Sequence, residues 1–222
     1  MPKAKRTPKS AQRKTKLRVL LLETHLPARF SPTSRQQIPF MQELFGNFRG
    51  IELIPRQVHS RADLKKFLDY ARRDRTIRAL HIVSHGEYSL RRPVIILTGD
   101  EKVNLADRQG RALFRRLNTE VIFFSCCELG RNEKLMQELL KISGADAIFS
   151  YTDTVKDYQA FIIEALFYHL AYGYVHGHES RLSFDEVYER LKFTLPFLGI
   201  DKARDSLTHP LLTAYFDEDL GR

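Results

Sequence analysis

Apolar and polar positions along the chain fall into two alternating periods. Residues 17–22 (LRVLLL) are a nearly continuous apolar run of strand length, the pattern of a strand covered on both faces. Residues 36–48 (QQIPFMQELFGNF) place Phe40, Leu44 and Phe48 four apart, which predicts a helix with Pro39 confined to its first turn. Residues 51–58 (IELIPRQV) predict a second strand, which Pro55 assigns to a sheet edge. Ser60 then opens a helix in the Ser-x-x-acid capping pattern with Asp63, and its stripe runs Leu64, Phe67, Leu68, Ala71. A third strand is predicted at 77–83 (IRALHIV). A hairpin follows, 94–97 and 103–105 around Thr98-Gly99-Asp100-Glu101, with a helix over 110–117.

The same alternation continues with a strand at 121–124 (VIFF), a helix at 132–142, Gly144, and a strand at 147–151. A long amphipathic helix over 157–172 and another over 183–195 complete the pattern; the residues after Pro196 carry no clear period. Strands alternating with helices predict an α/β fold: a mostly parallel sheet flanked by helices on both faces. No internal repeat or second domain boundary is visible, so residues 17–222 read as one domain.

Composition adds three constraints. A hydrophobic content of 43%, with 15 Phe and 9 Tyr, is enough for a real core. No apolar run approaches the roughly 20 residues that span a bilayer, and no apolar segment follows the basic start, so neither a membrane span nor a secretory signal is expected. The net charge is +9, but residues 1–18 (MPKAKRTPKSAQRKTKLR) carry five Lys, three Arg and no acid, leaving +1 for the rest. Residues 1–16 are therefore expected to be a disordered basic tail, solubilising or making weak contact with nucleic acid through residues 1–18. The only two cysteines, Cys126 and Cys127, are adjacent; they cannot staple distant segments, and a reducing, cytoplasmic setting is expected.

In open parallel sheets, function gathers at the carboxyl ends of the strands. His85 directly follows the third predicted strand and Cys127 the fourth. If those strands are neighbours, an imidazole and a thiol meet at one edge. The imidazole would raise the thiolate fraction of Cys127 and later protonate a leaving amine. Gly86, lacking a side chain, lets its N–H approach a substrate carbonyl and share an oxyanion hole with the Cys127 N–H. Cys126 should point to the opposite face and pack; with the strand end set one residue differently, it would be the nucleophile instead. His81 and His85 are four apart, but on a strand and without further ligands, so no metal and no cofactor are predicted.

These residues resemble a known group. Residues 79–86 (ALHIVSHG) are similar to the strand-then-His-Gly motif of caspase-like cysteine peptidases, particularly their CHAT branch. Residues 121–130 (VIFFSCCELG) resemble that branch's second motif: apolar strand, Ser, small residue, Cys, Glu, one residue, Gly. Residues 144–147 (GADA), 165–173 (ALFYHLAYG) and the hairpin after His85 also fit. The resemblance covers residues 77–175 by motif and 17–76 by element order only. Caspases proper carry the His about fifty residues before a Gln-Ala-Cys; here the interval is 42 residues and Ser125-Cys126 replaces Gln-Ala.

The resemblance implies a cysteine endopeptidase with Cys127 as nucleophile and His85 as acid/base, acting on protein or peptide without metal or organic cofactor. It also implies activation by processing or by a regulatory protein, and a role in bacterial defence or cell death. For cleavage preference, Asp153 and Asp157 follow the fifth predicted strand, near where caspase-like folds build the first pocket, and favour a basic residue before the cut. The rival is Arg29 or Arg35 in the loop after the first strand, which would favour an acidic one. Two other functions fit the sequence: an inert caspase-fold binding module, and a nucleic-acid-associated protein acting through its basic tail.

Overall fold

In the computed structural model the described residues are 17–24, 37–46, 51–89, 92–98, 101–173, 182–194 and 211–217. The basic tail 1–16, Arg29, Arg35 and the Gly99-Asp100 turn lie outside them.

Nine strands and six helices are described: β1 (Leu17–Thr24), α1 (Gln37–Gly46), β2 (Ile51–Val58), α2 (Arg61–Arg73), β3 (Ile77–Val83), β4 (His85–Ser89), β5 (Arg92–Ile96), β6 (Lys102–Asn104), α3 (Arg108–Ala112), β7 (Val121–Ser125), α4 (Glu133–Ser143), β8 (Ala147–Tyr151), α5 (Asp157–Tyr172), α6 (Phe184–Thr194) and β9 (Leu212–Phe216). Six strands form one sheet in the order β2-β1-β3-β7-β8-β9, parallel throughout except for β9, which runs antiparallel to β8. The Pro55 strand takes the edge, the position where a residue without an N–H is best tolerated.

The central strands alternate between two cores because successive side chains leave opposite faces. Leu20, Leu22, Leu80, Ile82, Ile122, Phe124 and Ile148 pack with Leu64, Leu68 of α2 and Leu135, Met136, Leu139 of α4. Val19, Leu21, Ala79, Val121, Phe123, Ala147 and Phe149 pack with Met41 and Phe45 of α1, Ile163 and Phe167 of α5, and Val187 and Leu191 of α6. The second core absorbs much of the aromatic content: Phe123 stacks on Phe149 with centroids 5.9 Å apart and meets Phe167 edge-on at 5.1 Å.

Local signals set the helix ends. Ser60 Oγ accepts from the Asp63 N–H at 3.1 Å, as its capping pattern predicts, and Asn132 Oδ1 does the same for Leu135. Gly144 ends α4 at φ 70°, a backbone region that favours glycine.

Three expectations need correction. The hairpin after His85 is a three-stranded antiparallel sheet, β4-β5-β6, whose first strand begins at His85 itself. The helix expected over 110–117 is shorter and earlier. Arg116 and Asn118 both take φ 54°, and Leu113, Phe114 and Leu117 turn into the core instead of continuing a helical face. Finally, the stretch after Pro196 contains β9, an edge strand too short to show a period.

Candidate active site

β3 and β7 are parallel neighbours with Val83 opposite Ser125, and the Ser84 N–H donates to the Ser125 carbonyl at 3.3 Å. Two residues beyond this last matched pair, the chain reaches His85 on one side and Cys127 on the other. The two strands are therefore neighbours, and their ends bring both residues to one cleft. Both residues are half-buried and line one cleft of about 230 Å³ with Gly86 and Asp157. Thr24, Val83, Ser84, Glu128, Thr154 and Val155 complete its wall.

The backbone at His85 is held from below. Ser84 is buried; its hydroxyl donates to the Ile96 carbonyl of β5, and Thr24 Oγ1 at the end of β1 lies 3.1 Å from Ser84 Oγ. His85 thus starts the small sheet while β3 ties it to the large one. Gly86 packs against the segment that follows β7: a Cβ built there would fall 1.8 Å from the Cys127 carbonyl oxygen and 2.7 Å from Leu129 Cδ1. Only glycine fits between these strand ends.

The two cysteines divide between the faces, as the alternation predicts. Cys126 is buried in the α2–α4 core, with Sγ 3.6 Å from the Ile82 carbonyl oxygen. Cys127 turns to the α5 side; its thiol lies 4.0 Å from the Val155 carbonyl oxygen.

After Cys127 the chain makes a tight turn. Glu128 takes φ 61°, uncommon for a non-glycine residue, and a single 3-10 turn (Leu129–Arg131) follows. At Gly130 a Cβ would lie 2.9 Å from Thr213 Cγ2 and 3.1 Å from the Ser150 and Tyr151 carbonyl oxygens, so β8 and β9 close tightly on the turn. Tyr215 of β9 donates to the Gly130 carbonyl at 2.7 Å, and burial pushes its phenol up to about 12, keeping it a donor.

A polar cluster on the other side of the turn was not foreseen. Glu128 accepts from the Tyr88 N–H of β4 at 3.3 Å and pairs with Arg131 at 3.0 Å. Arg131 also donates to the Thr152 carbonyl at 2.7 Å and reaches Asp153 Oδ1 at 3.4 Å. Opposite charges three apart, Glu128 and Arg131, were the available signal.

The two candidate pocket acids separate. Asp153 is 5% exposed, bonded to the Thr154 N–H at 2.7 Å and to Arg131, and is not among the cleft residues. Asp157 is exposed at the first turn of α5 and is part of the cleft wall. His81 is fully buried on β3, its ring stacked on Phe123 at 5.1 Å. Among the described residues no group of three metal-ligating side chains assembles, and no helix is long and apolar enough to cross a membrane.

Neither a protein family nor a curated protein matches the chain by sequence. Among solved structures, the crystal structure of the Drosophila initiator caspase Dronc is similar, with a TM-score of 0.52 at 9% identity over 91% of this chain and 80% of that one. At that identity the likeness is one of fold. A six-stranded, mostly parallel sheet flanked by helices, with β4-β5-β6 rising from His85, gives this chain a caspase-like α/β fold.

Proposed function

We propose that this chain is a cysteine endopeptidase of the CHAT type that hydrolyses peptide bonds with Cys127 and His85. The observation that carries this is the strand register, Val83 opposite Ser125, which delivers both residues to one cleft. A thiolate at Cys127 attacks the scissile carbonyl carbon, and the oxyanion that forms is held by the N–H groups of Gly86 and Cys127. His85, having taken the thiol proton, gives it to the departing amine. Water then attacks the thioester, losing a proton to His85, and releases the acid product and the free thiol.

Asp157, an exposed acid in the cleft wall, supports cleavage after a basic residue, whereas Asp153 is tied to Arg131 outside the cleft. Activation by a regulatory protein or by processing, and a role in bacterial defence or cell death, belong to the same proposal through the CHAT resemblance.

The test is mass-spectrometric identification of new protein N-termini in a lysate treated with wild-type protein or with Cys127→Ala. The expected result is a set of new termini that share Lys or Arg before the cut and vanish with the variant. Termini produced equally by both proteins would remove Cys127 from the chemistry.

A further inference from the structure

Beneath the cleft lies a buried carboxylate that the proposed reaction does not use. Glu164, on the sheet-facing side of α5, has no exposed surface. Three of its partners, Ser125, Tyr151 and His81, come from strands that lead into the cleft, and another, Gln37, from α1. Ser125 of β7 donates its hydroxyl to Oε1 at 2.5 Å, and Tyr151 of β8 donates to the same oxygen at 3.1 Å. The Gln37 side-chain amide of α1 donates to Oε2, and His81 Nε2 of β3 lies 3.2 Å from that oxygen.

Tyr168 OH lies 2.9 Å from His81 Nδ1. Burial first, then Tyr172 and Glu164, hold the Tyr168 phenol well above its ordinary value, so it stays protonated. Three donors, from Ser125, Tyr151 and Gln37, converge on a group that, ionised, only accepts, while His81 Nε2 stands beside it without a hydrogen bond.

Apolar residues would fill this space without desolvating a charge. Hydrogen bonds add a fixed direction, which packing alone does not supply. Ser125, on the α5 side of β7, lies two residues before Cys127, which packs on that same side, and His81, on the α5 side of β3, lies four before His85, where β4 begins. We infer that Glu164 is a positioning residue of the active site: by holding Ser125 and standing against His81, it fixes the strand end that presents Cys127 relative to the one that presents His85. This rests on the assignment of those two residues as the reacting pair.

The test reads thiol chemistry and not turnover. Iodoacetamide labelling of Cys127, followed by peptide mass spectrometry between about pH 5.5 and about pH 9.5, is compared in wild type, His85→Ala, Ser125→Ala, Tyr151→Phe and Glu164→Gln. Thermal melts are recorded alongside. The wild type is expected to label faster than His85→Ala on the acid side. Ser125→Ala and Glu164→Gln should move the profile toward that of His85→Ala, roughly tenfold slower near pH 6.5 with the same alkaline plateau. The double variant should go no further than either single one, because both act through one contact.

If Glu164→Gln does not fold, Ser125→Ala and Tyr151→Phe carry the comparison. A folded Ser125→Ala that melts earlier but keeps the wild-type profile overturns the positioning role and leaves the reacting pair standing. A wild-type profile identical to that of His85→Ala overturns the pair, and this role with it.

Discussion

Gly86 and the Cys127 carbonyl are so close that a single added carbon cannot be accommodated: the Cβ of any other residue would lie 1.8 Å from that oxygen. The obstacle is backbone, so no rotamer change relieves it. Gly86→Ala must push β4 away from the turn at Cys127 or fail to close the site. We expect a loss of at least about 1–3 kcal/mol of stability, as for other overpacked sites, together with loss of peptide cleavage. A melt and an activity curve indistinguishable from wild type would contradict this packing.

The adjacent cysteines should behave as different kinds of residue. Cys127→Ala is expected to abolish cleavage with little change in melting temperature, since its side chain is half-buried at the cleft. Cys126→Ala should keep the activity and lose about 1 kcal/mol, the scale of one small group removed from a packed core. The opposite pattern would exchange their roles.

Asp157 and Asp153 should separate specificity from stability. Asp157→Asn, in the cleft wall, is expected to lower kcat/KM for Lys and Arg substrates roughly tenfold or more while the fold is kept. Asp153→Asn loosens the tie to Arg131 and through it the turn after Cys127, so it should lower the melting temperature. Peptide-library profiling of both variants checks the division.

The alkaline limit of stability should be set by tyrosines. Burial raises Tyr188 and Tyr215 to about 12 in the folded chain, against an ordinary value near 10, so folding favours their protonated forms. Their contribution is complete below pH 10 and is lost as pH climbs toward about 12. Denaturant midpoints measured through this window should fall, and Tyr215→Phe should flatten the decline.

Removing residues 1–16 tests the basic tail. Seven of the eight positive charges of residues 1–18 leave with it, so retention on DNA should weaken and its salt dependence become shallower. Equal retention by the two proteins would assign any nucleic-acid contact to the folded body.

The order of elements was legible because it rests on short-range patterns. The 157–172 helix and the 77–83 and 147–151 strands appear at their expected bounds. The Cys126/Cys127 division followed from the period of two alone. What escaped depended on contacts made at a distance. β4 begins inside a stretch where His85 and Gly86 look like a strand exit, and only its pairing with β5 makes it a strand. β9 is five residues long and is stabilised by β8, over sixty positions earlier. Glu164 was visible in principle: an acid flanked by Ala160, Ile163, Phe167 and Ala171 on the buried face of α5 needs buried donors. Which donors is a question of topology, because Ser125, Tyr151 and Gln37 come from three other elements.

The pairing of β9 with β8 also orders events during synthesis. His85, Cys127 and their cleft are all encoded before residue 160, yet Tyr215 and Thr213, which close on Gly130, emerge from the ribosome much later. A nascent chain that already carries both reactive residues still lacks the strand that braces the turn after Cys127. Translation itself thus delays completion of the site until residue 216 is free to pair.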